Sequence, residues 1–102
     1  MLNKGKFEEA IIDYDKALQL NPNNPKAFFN RGNALMNQNK VNDAIMDYTR
    51  AINLKSDYAL AFFSRGMARL NSGKKEEGCG DLQQAINFGF QPADNEYKNN
   101  CH

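Results

Sequence analysis

The chain has 102 residues, 25% of them charged, and a formal net charge of +1. This length fits a single domain, and a charge so near zero argues against a nucleic acid or an anionic membrane surface as partner. No apolar run in the sequence reaches the length of a transmembrane helix, and no apolar signal-peptide core follows the first four residues. We therefore expect no nucleic-acid partner and no membrane partner, with a cytoplasmic location as the default.

The predicted elements are all helical, because the apolar residues recur at spacings of three and four rather than in alternation. A first helix is predicted over residues 6–20, and the Asn-Pro-Asn-Asn-Pro segment at residues 21–25 ends it, since proline cannot continue a helix. Two helical hairpins follow over residues 25–54 and 59–88. Residues 93–101 are predicted to form a short polar helix, which would suit the exposed end of a helical stack.

Turn residues and small residues mark each hairpin. Asn39 and Gly73 lie between the two helices of the hairpins, and Gly5 precedes the first helix in the same way. Glycine and asparagine tolerate the left-handed conformation that ends many helices. Gly32 and Gly66 fall where two helix backbones must approach each other. The predicted unit is therefore a helix–turn–helix hairpin whose two helices pack closely.

The sequence repeats itself with a shift of 34 residues. Arg31-Gly32 recurs as Arg65-Gly66, and a fixed period of this length indicates stacked supersecondary units rather than one closed fold. The other matches are Ala27, Phe28 and Phe29 with Ala61, Phe62 and Phe63, Asp47 with Asp81 and with Asp13, Tyr48 with Tyr14, Ala51 with Ala85 and with Ala17, Ile52 and Asn53 with Ile86 and Asn87, and Leu54 with Leu20.

The residues inside this period resemble the pattern of the tetratricopeptide repeat (TPR) family, which runs aromatic, Leu-Gly, aromatic, turn Gly, Ala, aromatic, Ala and Pro. The second repeat reads Phe28, Arg31, Gly32, Leu35, Asn39, Ala44, Tyr48 and Ala51. The third reads Phe62, Arg65, Gly66, Arg69, Gly73, Gly78, Leu82 and Ala85, and the first keeps Gly5, Ala10, Tyr14, Ala17 and Pro22. The departures are arginine for the leucine before the glycine, Ser56 for the proline, and Gly78 for the alanine.

The resemblance implies an all-α fold, a right-handed solenoid of antiparallel helix-turn-helix hairpins with a 34-residue period. We interpret the whole chain, residues 1–102, as a single TPR-like domain. Residues 1–24 are the second half of a repeat, residues 25–58 and 59–92 are full repeats, and residues 93–102 are a C-terminal tail or capping helix. The chain starts inside a repeat, which leaves open a longer natural protein with repeats before it.

The sequence offers no catalytic constellation. His102 is the only histidine and is the last residue, and there is no glycine-rich phosphate loop. Asp13, Asp47 and Asp81 recur once per repeat, which favours an architectural role, since an active site is normally assembled once. We expect a protein that is not an enzyme and that needs no cofactor and no metal ion.

The two cysteines, Cys79 and Cys101, lack the spacing of a metal site. Two reduced thiols are the favoured interpretation for a cytosolic protein. The alternative is a disulfide that pins the tail to the last hairpin, but the sequence does not fix the distance between the two residues.

The two arginines of the Arg-Gly pairs lie on alanine-rich stripes that leave room for a guanidinium group. We predict a ladder of ion pairs through the stack, in which Arg31 pairs with Asp13 or Asp47, and Arg65 pairs with Asp47 or Asp81. The alternative is a solvated arginine whose aliphatic stem covers apolar surface.

The resemblance implies that the first helix of each repeat lines a concave groove that binds an extended peptide or a partner helix. This groove face consists of Lys26, Phe29, Asn30, Asn33, Met36 and Asn37 in the second repeat and Leu60, Phe63, Ser64, Met67, Leu70 and Asn71 in the third. Its aromatic and methionine residues are too apolar for an idle surface, and its asparagines can hydrogen-bond a peptide backbone. We expect Phe63 to belong to this face and Phe62 to the core. The alternative is that the tail, or a repeat outside the chain, covers the face.

Some TPR proteins hold the C-terminal carboxylate of heat-shock chaperones with a clamp of lysine, asparagine and arginine. Phe29 and Leu60 stand at positions where that clamp has lysine, and Ser64 stands where it has arginine. The clamp is therefore not formed, and we do not expect chaperone-tail binding.

The function that we favour is a non-enzymatic scaffold that binds a protein or peptide partner. A structural self-association element, or a fragment of a longer TPR protein, is the alternative. RNA binding by a related helical array is disfavoured, because phosphate contacts dominate nucleic-acid affinity and the sequence has no basic stripe.

The first predicted helix has an apolar N-terminal edge formed by Phe7, Ala10, Tyr14 and Ala17. Nothing in the chain is predicted to cover this edge, and two and a half repeats fall below the about three that a stable stack usually needs. We predict a homodimer in which the edges of two chains pair about a two-fold axis. A domain swap and a fraying monomer are the alternatives.

Overall fold

The computed structural model describes residues 4–101, with side chains from residue 6 onward, and this part of the chain forms six α-helices and no strand. The helices are α1 (Lys4–Leu20), α2 (Pro25–Asn37), α3 (Val41–Leu54), α4 (Ala59–Asn71), α5 (Lys75–Asn87) and α6 (Pro92–Asn100). The predicted all-α fold is confirmed. Helix α1 includes Gly5, so the turn predicted at that residue is not formed.

Short connections fold each helix back onto the one before it, as expected for helical hairpins. Helices α2 and α3 form one hairpin, and α4 and α5 form the next. Helix α2 also contacts α4, so the first helices of the two hairpins lie side by side. The result is an elongated helical-repeat stack measuring 40 × 30 × 20 Å.

Left-handed residues end the first helix of each hairpin, as the sequence predicts. Asn39 has a φ of 63° and Gly73 a φ of 78°, and Gly89 after α5 has a φ of 96°. Directly after Asn39, the N–H of Lys40 donates to the carbonyl oxygen of Leu35 at 2.9 Å. Directly after Gly73, the N–H of Lys74 donates to the carbonyl oxygen of Arg69 at 2.8 Å. These bonds satisfy carbonyl groups that the end of a helix would otherwise leave unpaired.

Glycine at two positions allows the helices of each hairpin to approach closely. A Cβ atom at Gly32 would lie 2.7 Å from Cε1 of Tyr48, and one at Gly66 would lie 2.9 Å from the carbonyl oxygen of Gly78. Both distances are shorter than the ordinary non-bonded contacts of a Cβ atom. The predicted role of these small residues in helix packing is therefore confirmed.

The core lies between α3, α4 and α5 and is closed at the C-terminal end by α6. Its buried residues are Ala51, Ile52, Ala61, Phe62, Leu82, Ala85 and Ala93. Four of these seven are alanines, which keeps neighbouring helices close and leaves most of the apolar contact to a few larger side chains.

A disulfide joins Cys79 in α5 to Cys101 after α6, so the favoured interpretation of two reduced thiols was wrong. Helix α6 folds back onto α5, and this brings the two Cα atoms to 5.8 Å. The sequence could not fix that distance, because it depends on how the tail packs.

None of the helices within residues 4–101 combines the length and the apolar character of a membrane-spanning helix.

Candidate binding groove

The predicted groove face lies on two helices that contact each other, α2 and α4. Four of its residues are exposed, namely Lys26, Asn37, Leu60 and Asn71, and eight are half-buried, namely Phe29, Asn30, Asn33, Met36, Phe63, Ser64, Met67 and Leu70. The face thus combines apolar side chains with amide and hydroxyl groups, and Lys26 carries its only formal charge. Such a surface favours apolar side chains and a peptide backbone over a strongly charged ligand.

The two phenylalanines of the groove face pack against aromatic residues from other elements. The ring of Phe29 lies 5.9 Å from that of Tyr48 and 5.2 Å from that of Tyr58. The ring of Phe63 lies 4.9 Å from that of Phe90, which precedes α6. Phe63 is therefore a half-buried neighbour of the core rather than a fully exposed side chain, and the ring that packs on it belongs to the third repeat rather than to the tail at residues 93–102.

The buried Tyr48, which the sequence analysis did not assign to the groove face, forms a hydrogen bond with a residue of that face. Its hydroxyl donates to Oδ1 of Asn33 at 2.6 Å. Burial raises the pKa of Tyr48 to about 12, and the negative charge of Asp47 adds to this, while a hydrogen bond with Ser64 opposes it. Tyr48 is therefore a neutral hydrogen-bond donor at physiological pH, and it fixes the amide orientation of Asn33.

One predicted groove residue lies largely between helices. Leu70 packs beside Gly78, where a Cβ atom would come within 2.9 Å of Cγ of Leu70. Its side chain therefore contributes to the contact between α4 and α5 as well as to the groove rim. Burial also raises the pKa of Tyr58, whose ring lies against Phe29 at the other end of the face.

The predicted ion pairs between the arginines and the repeated aspartates are formed in both hairpins. Arg31 donates through Nε to Oδ2 of Asp47 at 2.7 Å and through Nη2 to Oδ1 at 2.8 Å. Arg65 makes the same two-bond contact with Asp81, at 2.9 and 2.8 Å. Parallel bonds of this kind between a guanidinium and a carboxylate are strong and directional.

The third bond of each arginine differs from the prediction. Nη1 of Arg31 donates to Asp15 rather than to Asp13, at 2.8 Å. Asp13 and Asp15 lie on opposite sides of α1, because two residues along a helix correspond to a rotation of about 200°. Since Asp15 faces Arg31, Asp13 is exposed. Nη1 of Arg65 donates to the hydroxyl of Thr49 at 3.2 Å, so no second carboxylate reaches it from α3.

Asp47 and Asp81 each receive a second arginine from nearby. Arg50 donates to Asp47 at 2.7 Å, and Arg69 donates to Asp81 at 2.8 Å. Hydrogen bonds from Arg31 to Asp47 raise the pKa of the Arg31 guanidinium above its ordinary value, although burial opposes this. Because these carboxylates are fully occupied inside the stack, they organise the fold and are not part of a reactive site.

The N-terminal edge of α1 differs from its counterparts in α3. Phe7, Ala10, Tyr14 and Ala17 are half-buried. The residues at the same repeat positions as Ala10, Tyr14 and Ala17 are Ala44, Tyr48 and Ala51, which are 0%, 1% and 0% exposed. No helix of the described part of the chain packs on the edge as α2 packs on α3.

A comparison with protein families matches the description "TPR repeat" over residues 2–39 and again over residues 32–73. The chain belongs to the tetratricopeptide repeat family. The arginine–aspartate pairs and the paired helices α2 and α4 are thus parts of a TPR stack. Among curated proteins, none matches the sequence.

Solved TPR structures share the fold of this chain. The first TPR of Spaghetti (RPAP3), bound to the HSP90 peptide SRMEEVD, is 32% identical with a TM-score of 0.87, and the alignment covers 93% of this chain and 77% of that one. The second TPR domain of human RPAP3, in complex with the HSP70 peptide SGPTIEEVD, is 32% identical with a TM-score of 0.85, covering 93% and 81%. The Arabidopsis OM64 TPR domain is 24% identical with a TM-score of 0.89, covering 95% and 82%, and shows the fold alone.

Three residues that contact the predicted groove face, Tyr48, Tyr58 and Phe90, were missed because their neighbours in space are distant in sequence. Tyr48 belongs to α3, and Phe90 lies beyond α5. Tyr48 could have been singled out because a tyrosine also stands 34 residues earlier, at Tyr14. The pattern is incomplete, since the next repeat has Leu82 at this position. No aromatic residue stands 34 positions before Phe90, where the sequence has Ser56, so the repeat gave no reason to single it out.

Proposed function

We propose that the chain is a non-enzymatic interaction module that binds a peptide or a partner helix along the groove face of α2 and α4. The observation that carries this proposal is the groove face itself. Half-buried aromatic and methionine side chains alternate there with amide groups on two adjacent helices. The RPAP3 domains that hold peptides have the same fold at 32% identity.

The chemistry of the groove face favours a ligand with apolar side chains and an accessible backbone. Asn33 is held by Tyr48, so its amide nitrogen is oriented for a partner carbonyl. Phe29, Leu60 and Ser64 stand where a carboxylate clamp has basic residues, so we do not extend the chaperone-tail ligands of RPAP3 to this chain. The side chains of the ligand, rather than its terminal carboxylate, would provide the recognition.

A peptide-display selection against the purified chain tests this proposal. Leu60, on the groove face, is 42% exposed, and Leu54, at the end of α3, is 41% exposed. We expect Leu60→Glu to abolish capture of the selected peptides and Leu54→Glu to leave it unchanged, because only the first places a charge in the groove. Peptides that bind both variants equally would contradict the proposal.

The salt dependence of binding separates this function from nucleic-acid binding. We expect the affinity for a selected peptide to change little between low and high salt, because apolar contacts are not screened. Selective capture of RNA with a steep loss of affinity in salt would favour the helical-array alternative, since phosphate contacts release counterions.

Self-association through the N-terminal edge is the second candidate function. The half-buried edge, whose counterparts in α3 are buried, favours it. We expect sedimentation at micromolar concentrations to detect a dimer that Tyr14→Glu or Phe7→Glu breaks while the helix content is retained. A monomer throughout, unaffected by either change, would contradict it.

A cytoplasmic location was the default expectation from the sequence, whereas the disulfide between Cys79 and Cys101 favours an oxidising compartment. Disulfides persist mainly in oxidising compartments. The redox state of Cys79 and Cys101 in protein taken directly from cells therefore reports on the location, with two free thiols expected for the cytoplasm.

A further inference from the structure

A cleft with a volume of about 280 Å³ opens between helices α1, α2 and α3, and we call it the α1–α3 cleft. Its lining residues all lie between Ile11 and Arg50. Helix α2 contributes Arg31 and Leu35 to it. These two residues lie on the side of α2 opposite to Asn33, because two residues along a helix correspond to a rotation of about 200°. The α1–α3 cleft is therefore separate from the groove face that α2 shares with α4.

The α1–α3 cleft combines apolar side chains with carboxylates. The apolar side chains are those of Ile11, Leu35 and Met46, and the carboxylates are those of Asp15, Asp43 and Asp47. Two arginines also line it, so three negative and two positive charges leave one net negative charge. A ligand that suits such a site has an apolar stem and a positively charged end, as the side chains of arginine and lysine have.

The second hairpin shows which of these groups fits at the equivalent position. A shift of 34 residues gives the counterparts of Leu35, Asp43 and Asp47, which are Arg69, Glu77 and Asp81. Arg69 donates through Nη1 to Oδ2 of Asp81 at 2.8 Å, and its Nε lies 3.9 Å from Oε2 of Glu77. The same pair of carboxylate positions thus holds a guanidinium group in one hairpin and lines an open cleft in the other.

The arginines of the first hairpin do not take the position of Arg69. Leu35 stands there, and Arg50 donates to the other oxygen of Asp47, Oδ1, at 2.7 Å. Asp43 is exposed, and none of the ion pairs within residues 6–101 involves it. The first hairpin therefore keeps the carboxylates of this arginine site and leaves the guanidinium to be supplied from elsewhere.

We propose that the α1–α3 cleft binds an arginine side chain of a partner polypeptide. The aliphatic stem packs on Met46, whose flexible thioether adapts to it. The guanidinium group lies beside Asp47 and Asp43, as that of Arg69 lies beside its two carboxylates in the second hairpin. Arginine fits better than lysine, because a planar group with five donors spans two carboxylates and an ammonium group is a point charge.

A second copy of this chain is not the partner. The sequence contains four arginines, which are Arg31, Arg50, Arg65 and Arg69. The first two are bonded to Asp47 and the other two to Asp81. A second copy would have to break one of these ion pairs in its own stack to supply a guanidinium group. The partner is therefore a polypeptide of different sequence that presents an accessible arginine.

The test is titration of the isotope-labelled full chain, followed by nuclear magnetic resonance, with the blocked peptide acetyl-Ala-Arg-Ala-amide. The matched ligand is the same peptide with citrulline, which has nearly the shape of arginine and no charge. We expect the arginine peptide to saturate with a Kd of about 1 mM and with chemical-shift changes at Leu35, Asp43 and Met46. Equal binding of the two peptides, or no saturation by the arginine peptide up to about 10 mM, would overturn the proposal.

The position of the changes and a pair of charge variants locate the site. Asp43→Asn removes a carboxylate of the α1–α3 cleft, and we expect it to weaken binding about threefold or more. Asp13→Asn is the matched control, because Asp13 is exposed on the side of α1 opposite to Asp15, and it should bind as the unchanged chain does. An equal loss in both variants, or chemical-shift changes confined to the groove face of α2 and α4, would overturn the proposal.

A second variant builds the arrangement of the second hairpin into the first. In Leu35→Arg the new guanidinium should contact Asp47 as Arg69 contacts Asp81, so the peptide should no longer bind. Leu35→Met, which is similar in size and uncharged, should bind it as before. Undiminished binding by a folded Leu35→Arg chain would overturn the proposal. Asp43→Asn decides the matter if Leu35→Arg does not fold, since Asp43 is exposed.

Discussion

At the scale of single residues, two buried aspartates organise the stack. Asp47 is 1% exposed and Asp81 is 4% exposed, and each receives bonds from two arginines. A buried carboxylate loses the stabilisation of water, so its stability depends on these partners. The sequence analysis gave Asp47 as one of two candidate partners of Arg31 and Asp81 as one of two candidate partners of Arg65, and the structure shows these two pairs. It named Asp13 rather than Asp15 because Asp13 recurs with the 34-residue period. Residues two apart on a helix lie on opposite sides of it, and on α1 it is Asp15 that contacts Arg31.

Removing one of these aspartates should deprive a half-buried arginine, Arg31 or Arg65, of its two-bond partner. We expect Asp47→Ala to lower the free energy of unfolding by roughly 3–5 kcal/mol, measured by urea denaturation with circular dichroism. Asp13→Ala is the control, because Asp13 is exposed, and it should change the free energy by less than about 0.5 kcal/mol. Equal effects of the two substitutions would contradict the ion-pair ladder.

The buried hydroxyl of Tyr48 predicts a loss of stability at alkaline pH. Its pKa is raised from an ordinary value of 10.0 to about 12, so folding favours the neutral form. The resulting contribution, roughly 2–3 kcal/mol, is fully present below pH 10 and is lost as the pH rises towards 12. Unfolding measured between these pH values should show the loss in the unchanged chain and a smaller one in Tyr48→Phe. Identical pH profiles would contradict the assignment to Tyr48.

At the scale of elements, close helix contacts depend on glycine at particular positions. The period predicted the hairpins and their turns, because Gly32, Gly66, Asn39 and Gly73 recur with it. The contact of Phe63 with Phe90 was not predictable, since Phe90 lies outside the repeated pattern. The disulfide was not predictable either, because the packing of α6 on α5 decides the distance between the cysteines.

Two glycines inside helices provide a matched test of close packing. A Cβ atom at Gly32 would collide with the Tyr48 ring, whereas a Cβ atom at Gly80 in α5 would meet nothing within 4 Å. We expect Gly32→Ala to destabilise the chain by about 1–3 kcal/mol. Gly80→Ala should stabilise it by up to about 1 kcal/mol, because alanine favours a helix. Thermal unfolding of the two variants measures both effects, and a stabilising Gly32→Ala would contradict the packing of α2 on α3.

The disulfide should hold α6 on the stack. Helix α6 has 9 residues and is polar apart from the contacts of Ala93 and Tyr97, and isolated helices below about 12 residues are marginal in water. We expect Cys101→Ser to destabilise the chain by about 3 kcal/mol and to speed hydrogen exchange within α6. Two thiols that alkylate fully without a reductant would contradict the disulfide itself.

At the scale of the whole molecule, the protein is a stack in which each helix packs mainly on its neighbours. This arrangement places α2 beside α4 and leaves their shared face free of further helices in the described part of the chain. Sequence periodicity predicted the stack and the helices that line the groove. It did not reveal how deeply each side chain of the face is buried, because Tyr48, Tyr58 and Phe90 reach the face from elements outside the first helices.

The most direct test of the proposed binding groove is nuclear magnetic resonance mapping of a selected peptide on the labelled chain. We expect the largest chemical-shift changes at Asn33, Ser64 and Met67, on the face that α2 and α4 share, and small changes at Met46 and Leu54, which are exposed on α3. Changes concentrated on α3 and α5, with the α2 and α4 signals unmoved, would contradict the account.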